Sequence, residues 1–289
     1  MAFQRIGIVG GSGLGQALGQ LTHGQEHALD TPFGKPSATI VTGELSGVPV
    51  ALLARHGAGH VHSPTHVPYR ANIFALKTLG VTHLLCSTAV GSLREEIAPR
   101  DLVIPDQLID KTFRRATTFF DEFAVHAELA NPFCSKLRTI LLESARATKA
   151  KVHDGATLVV MEGPQFSTKA ESELYRSWGC SVIGMTNMPE AKLAREAELC
   201  YATVAMVTDF DCWHPDHDHV TVEAVVRILL GNAGNARNLV RTIVPTLGQG
   251  RDLCPCGCDR ALDYAVITAA DRRDAGLTAK LDAVAGRVL

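Results

Sequence analysis

Two aspartates separated by one residue, in the segment Thr208-Asp209-Phe210-Asp211, follow an apolar run that extends from Tyr201 to Val207. If that run is a buried strand, both carboxyl groups lie at its end, where burial and mutual repulsion raise the pKa of one of them. A carboxyl group that stays neutral near pH 7 can donate a proton to a leaving group. The pattern therefore predicts a general acid here, and two solvated turn aspartates are the alternative that it leaves open.

A second set of residues has the chemistry of an anion site. The first apolar run leads into the loop Gly10-Gly11-Ser12-Gly13-Leu14-Gly15, whose backbone amides and hydroxyl could donate to phosphate oxygens. Arg55 and His56 follow a later apolar run, and a guanidinium matches phosphate or carboxylate with two parallel donors. The loop is not a complete dinucleotide motif, because position 16 is Gln, and it has no Walker lysine. A plain tight turn is its alternative.

Two further segments could contribute to the same site. Small hydroxyl residues end the run Cys86-Ser87-Thr88-Ala89-Val90-Gly91-Ser92, and the Thr88 hydroxyl with nearby amides could complete an anion cradle. Ordinary turn chemistry is the alternative for that segment. The segment from Glu162 to Phe166 places an aromatic ring just after a Gly-Pro turn. Phe166 could stack on a flat heterocycle, although taken alone it is better explained as a core residue.

Histidines and cysteines form two clusters that raise the question of a metal. His60, His62 and His66 fit neither a helical nor a finger spacing, so surface or packing roles are favoured. The segment Cys254-Pro255-Cys256-Gly257-Cys258 is awkward for zinc, because structural sites usually place two to four residues between paired ligands. Three interpretations stay open for it, namely a metal site, a reactive thiol pair and an inert tail. A disulfide scaffold is not expected in a chain of this length.

These residues require elements that bring them together. Short, nearly continuous apolar runs are typical of strands buried on both faces, and they occur at residues 6–9, 48–54, 83–88, 157–161, 181–184 and 201–207. Stretches of helical length lie between and after them, at 72–79, 135–149, 191–198 and 222–242. This alternation predicts an α/β fold, a single domain with a parallel or mixed β-sheet. Residues 1–250 are predicted to form the catalytic domain, with 251–289 as a C-terminal extension packed on it.

The candidate residues follow the carboxyl ends of the predicted strands, which is where open α/β sheets bind their ligands. Five segments do so: residues 10–13, 55–56, 88–89, 185–186 and 209–211. One coincidence would mean little, but five predict a single site along one edge of the sheet.

Composition excludes several classes of protein. The chain has 289 residues, of which 46% are hydrophobic and 20% charged, as in globular proteins and unlike disordered ones. Its formal charge of −2 shows no basic excess of the kind that nucleic-acid binders carry. The apolar runs are too short to span a membrane, and the N-terminus lacks the features of a secretory signal. A cytoplasmic protein without nucleic-acid or membrane partners is expected.

Taken together, these motifs resemble the methylthioadenosine phosphorylases, a family within the trimeric purine nucleoside phosphorylases. The resemblance extends from about residue 5 to about residue 245 and rests on residues 6–14, 30–37, 53–60, 87–101, 162–172, 185–190 and 208–213. It implies a purine nucleoside phosphorylase-like fold, a single α/β domain with a central mixed β-sheet flanked by helices. The implied assembly is a homotrimer whose active sites lie near subunit interfaces. It also implies reversible phosphorolysis of 5'-methylthioadenosine, which gives adenine and 5-methylthioribose 1-phosphate.

The resemblance further implies a role for each matching position. The phosphate-binding positions are Ser12, Arg55, His56, Thr88, Ala89 and Thr186. Phe166 and Met185 match residues that line the purine and the ribose, while Asp209 and Asp211 match the pair that recognises N7 and the 6-amino group. His126 matches a histidine that the neighbouring subunit lends near the methylthio group. Ser167 and Val222 match positions tied to substrate preference.

The chemistry of the reaction agrees with these roles. Cleavage of a ribosyl C–N bond develops negative charge on the departing base, and a carboxylic acid of raised pKa relieves it. We therefore expect Asp209 to act as the general acid and Asp211 to accept from the exocyclic amine. Because phosphate itself is the nucleophile, no cofactor and no metal are expected.

Three alternatives differ from this interpretation. The first is a nucleoside phosphorylase that acts on adenosine or inosine. The second is a nicotinamide-dependent oxidoreductase, which the incomplete glycine motif argues against. The third is a metal-sensing or metal-storage protein built on the histidine and cysteine clusters, which bound zinc after purification would indicate.

Overall fold

The computed structural model describes residues 5–11, 21–148, 150–215, 221–248 and 254–289. Within these ranges eleven strands form one mixed sheet. The strands are β1 Arg5–Gly10, β2 Thr22–His27, β3 Ile40–Leu45, β4 Val48–Ala54, β5 Val81–Ser92, β6 Leu102–Ile104, β7 Gln107–Lys111, β8 Val152–Asp154, β9 Thr157–Met161, β10 Val182–Gly184 and β11 Cys200–Asp209. Helices pack on the sheet, and the predicted α/β class is confirmed.

The long strand β5 is the centre of the sheet. It pairs in parallel with β1 and β11, and its last residues pair antiparallel with β10. From β1 the sheet continues through β4, β3 and β2, from β10 through β9 and β7, and from β11 through β6 and β8. Because β1, β4, β5 and β11 are parallel, their carboxyl ends lie at one edge, and three of the predicted polar segments stand at the ends of β1, β4 and β11. The other two differ from the prediction, since Thr88 and Ala89 lie inside β5, and residues 185–186 follow β10, which runs antiparallel to β5.

The α-helices in the described ranges are α1 Tyr69–Thr78, α2 Ser135–Arg146, α3 Lys169–Ser177, α4 Asn187–Glu196, α5 Val222–Leu247 and α6 Ala275–Ala285. Side chains that alternate along β1 face two cores: Ile6 and Ile8 pack with α2 and α5, whereas Val9 packs with α1, α4 and α6. Helices therefore cover both faces of the sheet. Among the helices described here, none has the length and apolar character that a bilayer-spanning segment requires.

Within the described ranges, strands β2, β3, β6, β7 and β8 and helices α3 and α6 were not predicted, and helix boundaries differ from the predicted ones by several residues. Strand β2, with the sequence Thr-His-Gly-Gln-Glu-His, was not predicted because it is mostly exposed and has no apolar run. Helix α5 extends beyond the predicted end at residue 242 and includes Pro245. A proline inside a helix removes one backbone hydrogen bond. Ile243, Val244 and Leu247 are buried in the core around it, and this packing offsets the loss.

The C-terminal residues 254–289 contribute to both cores. Cys254 and Cys258 are buried with α2 and α5, and Leu262 and Leu281 are buried on the other face of the sheet. The same segment also pairs with the loop that carries His126, because the His126 backbone N–H donates to the Ala265 carbonyl at 2.9 Å. The C-terminal segment thus holds one of the predicted site loops in place.

Candidate active site

Arg55 follows β4 directly, and its guanidinium is almost completely buried, with 1% of the side chain exposed. Nε and Nη2 donate to the two carboxylate oxygens of Glu190, on α4, and Nη1 donates to the Ser87 carbonyl at 2.9 Å. Burial by itself would lower the pKa of Arg55, but the Glu190 carboxylate outweighs it and raises that pKa above its usual value. A guanidinium has five N–H donors, so this arrangement leaves two for a ligand.

Thr88, inside β5, and Thr186, shortly after β10, meet beside this ion pair. Their hydroxyl oxygens lie 3.2 Å apart, and both residues are buried. Thr186 is the first residue before α4, yet its side chain does not cap the helix. Two facing hydroxyls can both donate to an anion. The backbone is not helical at Met188, so the regular part of α4 begins after that residue. Ala89 follows Thr88 in the same strand.

His56 is a neutral imidazole in this environment. Burial and, to a smaller extent, the neighbouring Arg55 charge together lower the pKa of His56 to about 4, against the opposing effect of a hydrogen bond with the His62 carbonyl. That bond runs from Nδ1 to the carbonyl oxygen at 2.9 Å, so Nδ1 carries the proton because a carbonyl only accepts. The ring of His60 stacks on His56 at 4.1 Å between centroids. Nε2 of His56 therefore presents a lone pair.

The two aspartates form the second polar group. The Oδ2 atom of Asp209 accepts from the Thr208 hydroxyl at 2.6 Å, and its Oδ1 accepts from the Asp211 backbone N–H at 2.8 Å. Burial raises the pKa of Asp209, and burial together with the Asp209 charge raises the pKa of Asp211. The alternative of two fully solvated turn residues is therefore wrong.

Strand register sets the distance between the two polar groups. Thr88 pairs with Ala205 and Gly91 pairs with Asp209, so the backbone of Asp209 lies three residues further along β5 than that of Thr88, about 10 Å at the usual rise of a strand. Gly91 is required at that position, since a Cβ would lie 2.8 Å from Oδ1 of Asp209 and 3.3 Å from Cβ of Asp211. The arrangement can hold a small molecule that has an anion at one end and a polar ring edge at the other.

The aromatic segment lies beside these groups. Phe166 is 43% exposed, so the core role favoured for this residue taken alone is wrong. Gly163 has φ +69°, and a Cβ there would lie 2.6 Å from Sδ of Met185, so the turn before Phe166 packs directly on Met185. The Ser167 carbonyl accepts from the Cys212 thiol at 3.4 Å, which ties this segment to the aspartate loop.

Sequence reasoning missed two residues that position the site. Arg115 donates from Nη1 to the carbonyls of Met185 and Met188, each at 2.6 Å, and forms an ion pair with Glu162 at 3.1 Å. Glu162 also accepts from the Thr65 hydroxyl, and such hydrogen bonds lower the pKa of Glu162 to about 2 although burial would raise it. Glu162 lies in the segment that was singled out only for the aromatic ring of Phe166. Arg115 lies in a polar loop that contains no motif.

One predicted site residue, His126, is not joined to this cluster, and two others cannot be placed in it from the described part of the structure. His126 is exposed, and no described hydrogen bond, ion pair or ring contact links it to the other candidates within one chain. Ser12 lies outside the described residues. Val222 begins α5, and its side chain lies outside the described part of the structure.

Comparison with known proteins identifies the family. A family model described as the phosphorylase superfamily matches residues 5–245. The chain belongs to the phosphorylase superfamily. The S-methyl-5'-thioadenosine phosphorylase of Cereibacter sphaeroides is 60% identical to this phosphorylase over 285 residues, which cover 98% of each chain. The enzyme of the same name from Rhodospirillum rubrum is 53% identical, over 98% of this chain and 97% of its own.

Solved structures agree with these relatives. A methylthioadenosine phosphorylase from an antarctic soil metagenomic library has a TM-score of 0.89 and 46% identity, and covers 98% of this chain and 99% of its own. The methylthioadenosine phosphorylase of Schistosoma mansoni in complex with adenine has a TM-score of 0.87 and 35% identity, over 92% and 99%. The resemblance drawn from the motifs is confirmed, and so is the expectation of an enzyme of the phosphorylase class.

Proposed function

We propose that this phosphorylase converts 5'-methylthioadenosine and phosphate reversibly into adenine and 5-methylthioribose 1-phosphate. The observation that carries the proposal is the pairing of β5 with β11, which places the backbone of Asp209, next to buried Asp211, about 10 Å further along β5 than buried Thr88. Relatives that are 50–60% identical over nearly the whole chain carry the name of this activity. Chains of the Schistosoma mansoni enzyme have been solved with adenine and with methylthioadenosine.

Asp209 is the general acid in this proposal. Its raised pKa favours the neutral form, which can protonate purine N7 as the C–N bond breaks. The Thr208 hydroxyl is 2.6 Å from Oδ2 of Asp209 and 3.2 Å from the Val90 carbonyl, and it has one proton to donate. It can donate to the ionised carboxylate, or turn to Val90 and accept from the neutral acid. Thr208 therefore accommodates Asp209 in both protonation states.

Asp211 selects the base. An ionised carboxylate accepts from the 6-amino group of adenine, whereas a 6-oxo purine presents an acceptor that it would repel. The backbone of Asp211 has φ +50°, in the left-handed region, and its N–H is bound to Oδ1 of Asp209. This turn fixes the direction of the second carboxyl group relative to the first.

Phosphate is the nucleophile, and no cofactor or metal takes part in the reaction. The two remaining donors of Arg55 and the hydroxyls of Thr88 and Thr186 bind phosphate oxygens, and the loop containing Ser12 and the amide of Ala89 add further donors. The lone pair on Nε2 of His56 accepts from the hydroxyl of a monoprotonated phosphate. The bound anion then stabilises the positive charge that develops on the ribose.

The 5' end of the nucleoside is recognised by residues beyond this cluster. In the proposal, His126 of a neighbouring subunit and Val222 border the methylthio group, Ser167 influences substrate preference, and Phe166 and Met185 line the purine and ribose. The active form is then a homotrimer of about 93 kDa, three chains of 31.0 kDa each. Exposure of the His126 ring within a single chain supports a role at a subunit contact.

Adenosine is a second candidate substrate. Some of the similar Schistosoma mansoni structures carry the name adenosine/methylthioadenosine phosphorylase. Both nucleosides present the same base to Asp209 and Asp211, so only the 5' substituent distinguishes them. Values of kcat/KM for methylthioadenosine, adenosine and inosine, measured side by side, rank the three.

Phosphate dependence tests the proposed reaction. Adenine release from methylthioadenosine is measured with and without phosphate, and the sugar product is identified by mass. We expect release to nearly vanish without phosphate and the product to carry one phosphate. Undiminished release in phosphate-free buffer, with free methylthioribose as product, would mean a hydrolase instead.

A further inference from the structure

Four cysteines from two distant parts of the chain meet at one point. Cys134, before α2, lies with Cys254, Cys256 and Cys258 of the C-terminal segment, and their four sulfur atoms are all within 4.8 Å of one another. The Sγ of Cys134 is 3.6 Å from that of Cys254 and 3.8 Å from that of Cys256. These residues are buried or half-buried, and the proposed reaction uses none of them.

The spacing matches a metal site and not a set of disulfides. Four sulfurs at about 2.3 Å from a central Zn²⁺ in a tetrahedron lie about 3.8 Å from each other. A disulfide would hold two sulfurs at about 2.05 Å, and all eight cysteines of the chain are free. We propose that Cys134, Cys254, Cys256 and Cys258 form a structural Zn²⁺ site that fastens the C-terminal segment to the body of the protein.

A turn in the local backbone allows these cysteines to converge although they are close in sequence. Gly257 has φ +68°, and its N–H donates to the Cys254 carbonyl at 2.9 Å, which closes a turn between the first and third cysteines. The Asp259 carboxylate accepts from the Cys254 N–H at 3.3 Å. The fourth ligand, Cys134, comes from 120 residues earlier in the chain. Pairwise spacing within one segment therefore does not decide whether a site exists.

The surroundings suit four thiolates around a divalent cation, whose combined charge is negative. Cys134 is the N-cap of α2, and its sulfur accepts from the Leu137 N–H at 3.4 Å, where the helix presents positive partial charge. Nη1 of Arg195 lies 3.8 Å from the sulfur of Cys258, and the Ser135 hydroxyl lies 2.9 Å from that of Cys256. Hydrogen bonds of this kind orient metal ligands and compensate their charge.

Metal content of the whole protein tests the site. The chain is purified without a chelator or a metal-affinity tag, and its zinc is measured per chain together with its intact mass. We expect about one zinc per chain and a Zn–S distance of about 2.3 Å with four sulfurs by X-ray absorption. Metal-free protein with four reactive thiols, or protein lighter by the two hydrogens of a disulfide, would overturn the proposal.

Two variants separate the ligands from their neighbours. Cys256→Ser removes a half-buried ligand, and we expect zinc content to fall at least fivefold and the melting temperature to fall by about 5 °C or more. Cys200→Ala is the matched control, because the Cys200 thiol lies beside Cys134 and Cys258 but is not one of the four. It should retain its zinc, and a loss equal to that of Cys256→Ser would refute this choice of ligands. Neither measurement depends on the proposed reaction.

Discussion

The two polar groups of the candidate active site differ in whether their buried charges are paired. After β4, the almost completely buried Arg55 guanidinium is paired with Glu190, which raises the pKa of Arg55 although burial would lower it. At the end of β11, no Lys or Arg in the described part of the chain forms an ion pair with Asp209 or Asp211. Their raised pKa values follow from that difference. Arg55, which is paired with Glu190, provides a fixed positive charge for an anion. Asp209, which has no cationic partner among the described residues, provides a proton that can be transferred.

The largest expected effect comes from removing that proton. Asp209→Asn should lower kcat by ~10²–10⁴-fold, the usual contribution of a positioned general acid, while substrate KM changes less because an amide still reaches the purine. Steady-state kinetics with methylthioadenosine measure it. Asp271→Asn, at an exposed position in the C-terminal segment, is the control and should leave kcat unchanged. A near-wild-type kcat in Asp209→Asn would end its assignment as the acid.

Removing the carboxylate that pairs with Arg55 should lower the free energy of unfolding. Glu190→Gln leaves the buried Arg55 charge without its partner, and we expect the free energy of unfolding to fall by ~3–5 kcal/mol. Urea unfolding measures this loss. Glu173→Gln, which breaks an exposed pair with Arg176, should cost less than about 1 kcal/mol. Equal losses in the two variants would show that the burial of Arg55 does not matter.

Arg55→Ala should weaken the binding of phosphate more than the binding of the nucleoside. Losing charged hydrogen bonds of ~2–3 kcal/mol corresponds to an increase of roughly 30–150-fold in the KM for phosphate. Saturation curves for phosphate and for methylthioadenosine are compared in the same preparation, at a temperature where the variant is folded. If KM rises equally for both substrates, Arg55 supports the site as a whole and does not bind phosphate itself.

Asp211→Asn should change specificity more than rate. It replaces an acceptor by a group that both donates and accepts, so the substrate 6-amino group loses its partner at a cost of ~1–3 kcal/mol. The ratio of kcat/KM for adenosine to that for inosine should then fall by roughly 5–150-fold. If Asp211→Asn abolishes kcat while Asp209→Asn does not, the roles of the two carboxyl groups are reversed.

The neutral state of His56 makes stability depend on pH. Its pKa is about 4 in the folded chain and about 6.5 when unfolded, so the unfolded state binds the proton more tightly. The stabilisation that neutral His56 contributes to the folded state is complete above about pH 6.5 and is lost as the pH falls towards 4. The free energy of unfolding should therefore fall more steeply between pH 7 and pH 4 for the wild type than for His56→Asn. Parallel curves would exclude His56 as the source.

Local sequence determined six of the eleven described strands, the edge at which much of the site forms and several of its residues. Apolar runs followed by Arg55, Thr88 and Asp209 predicted that edge because side-chain burial and strand direction are local properties of the chain. Exposed strand β2 and the hydrogen-bonded loop of Arg115 escaped prediction, since neither has an apolar period. The motif resemblance added the family, which the comparisons confirmed.

Only the tertiary structure decided which charges are paired. Arg55 and Glu190 are 135 residues apart, and Cys134 and Cys254 are 120 apart, so no spacing in the sequence relates them. Whether a buried carboxyl group is ionised depends on whether a cation from elsewhere in the chain packs against it. The residue types that could do chemistry are therefore readable from the sequence, whereas their protonation states and partners are set by long-range packing.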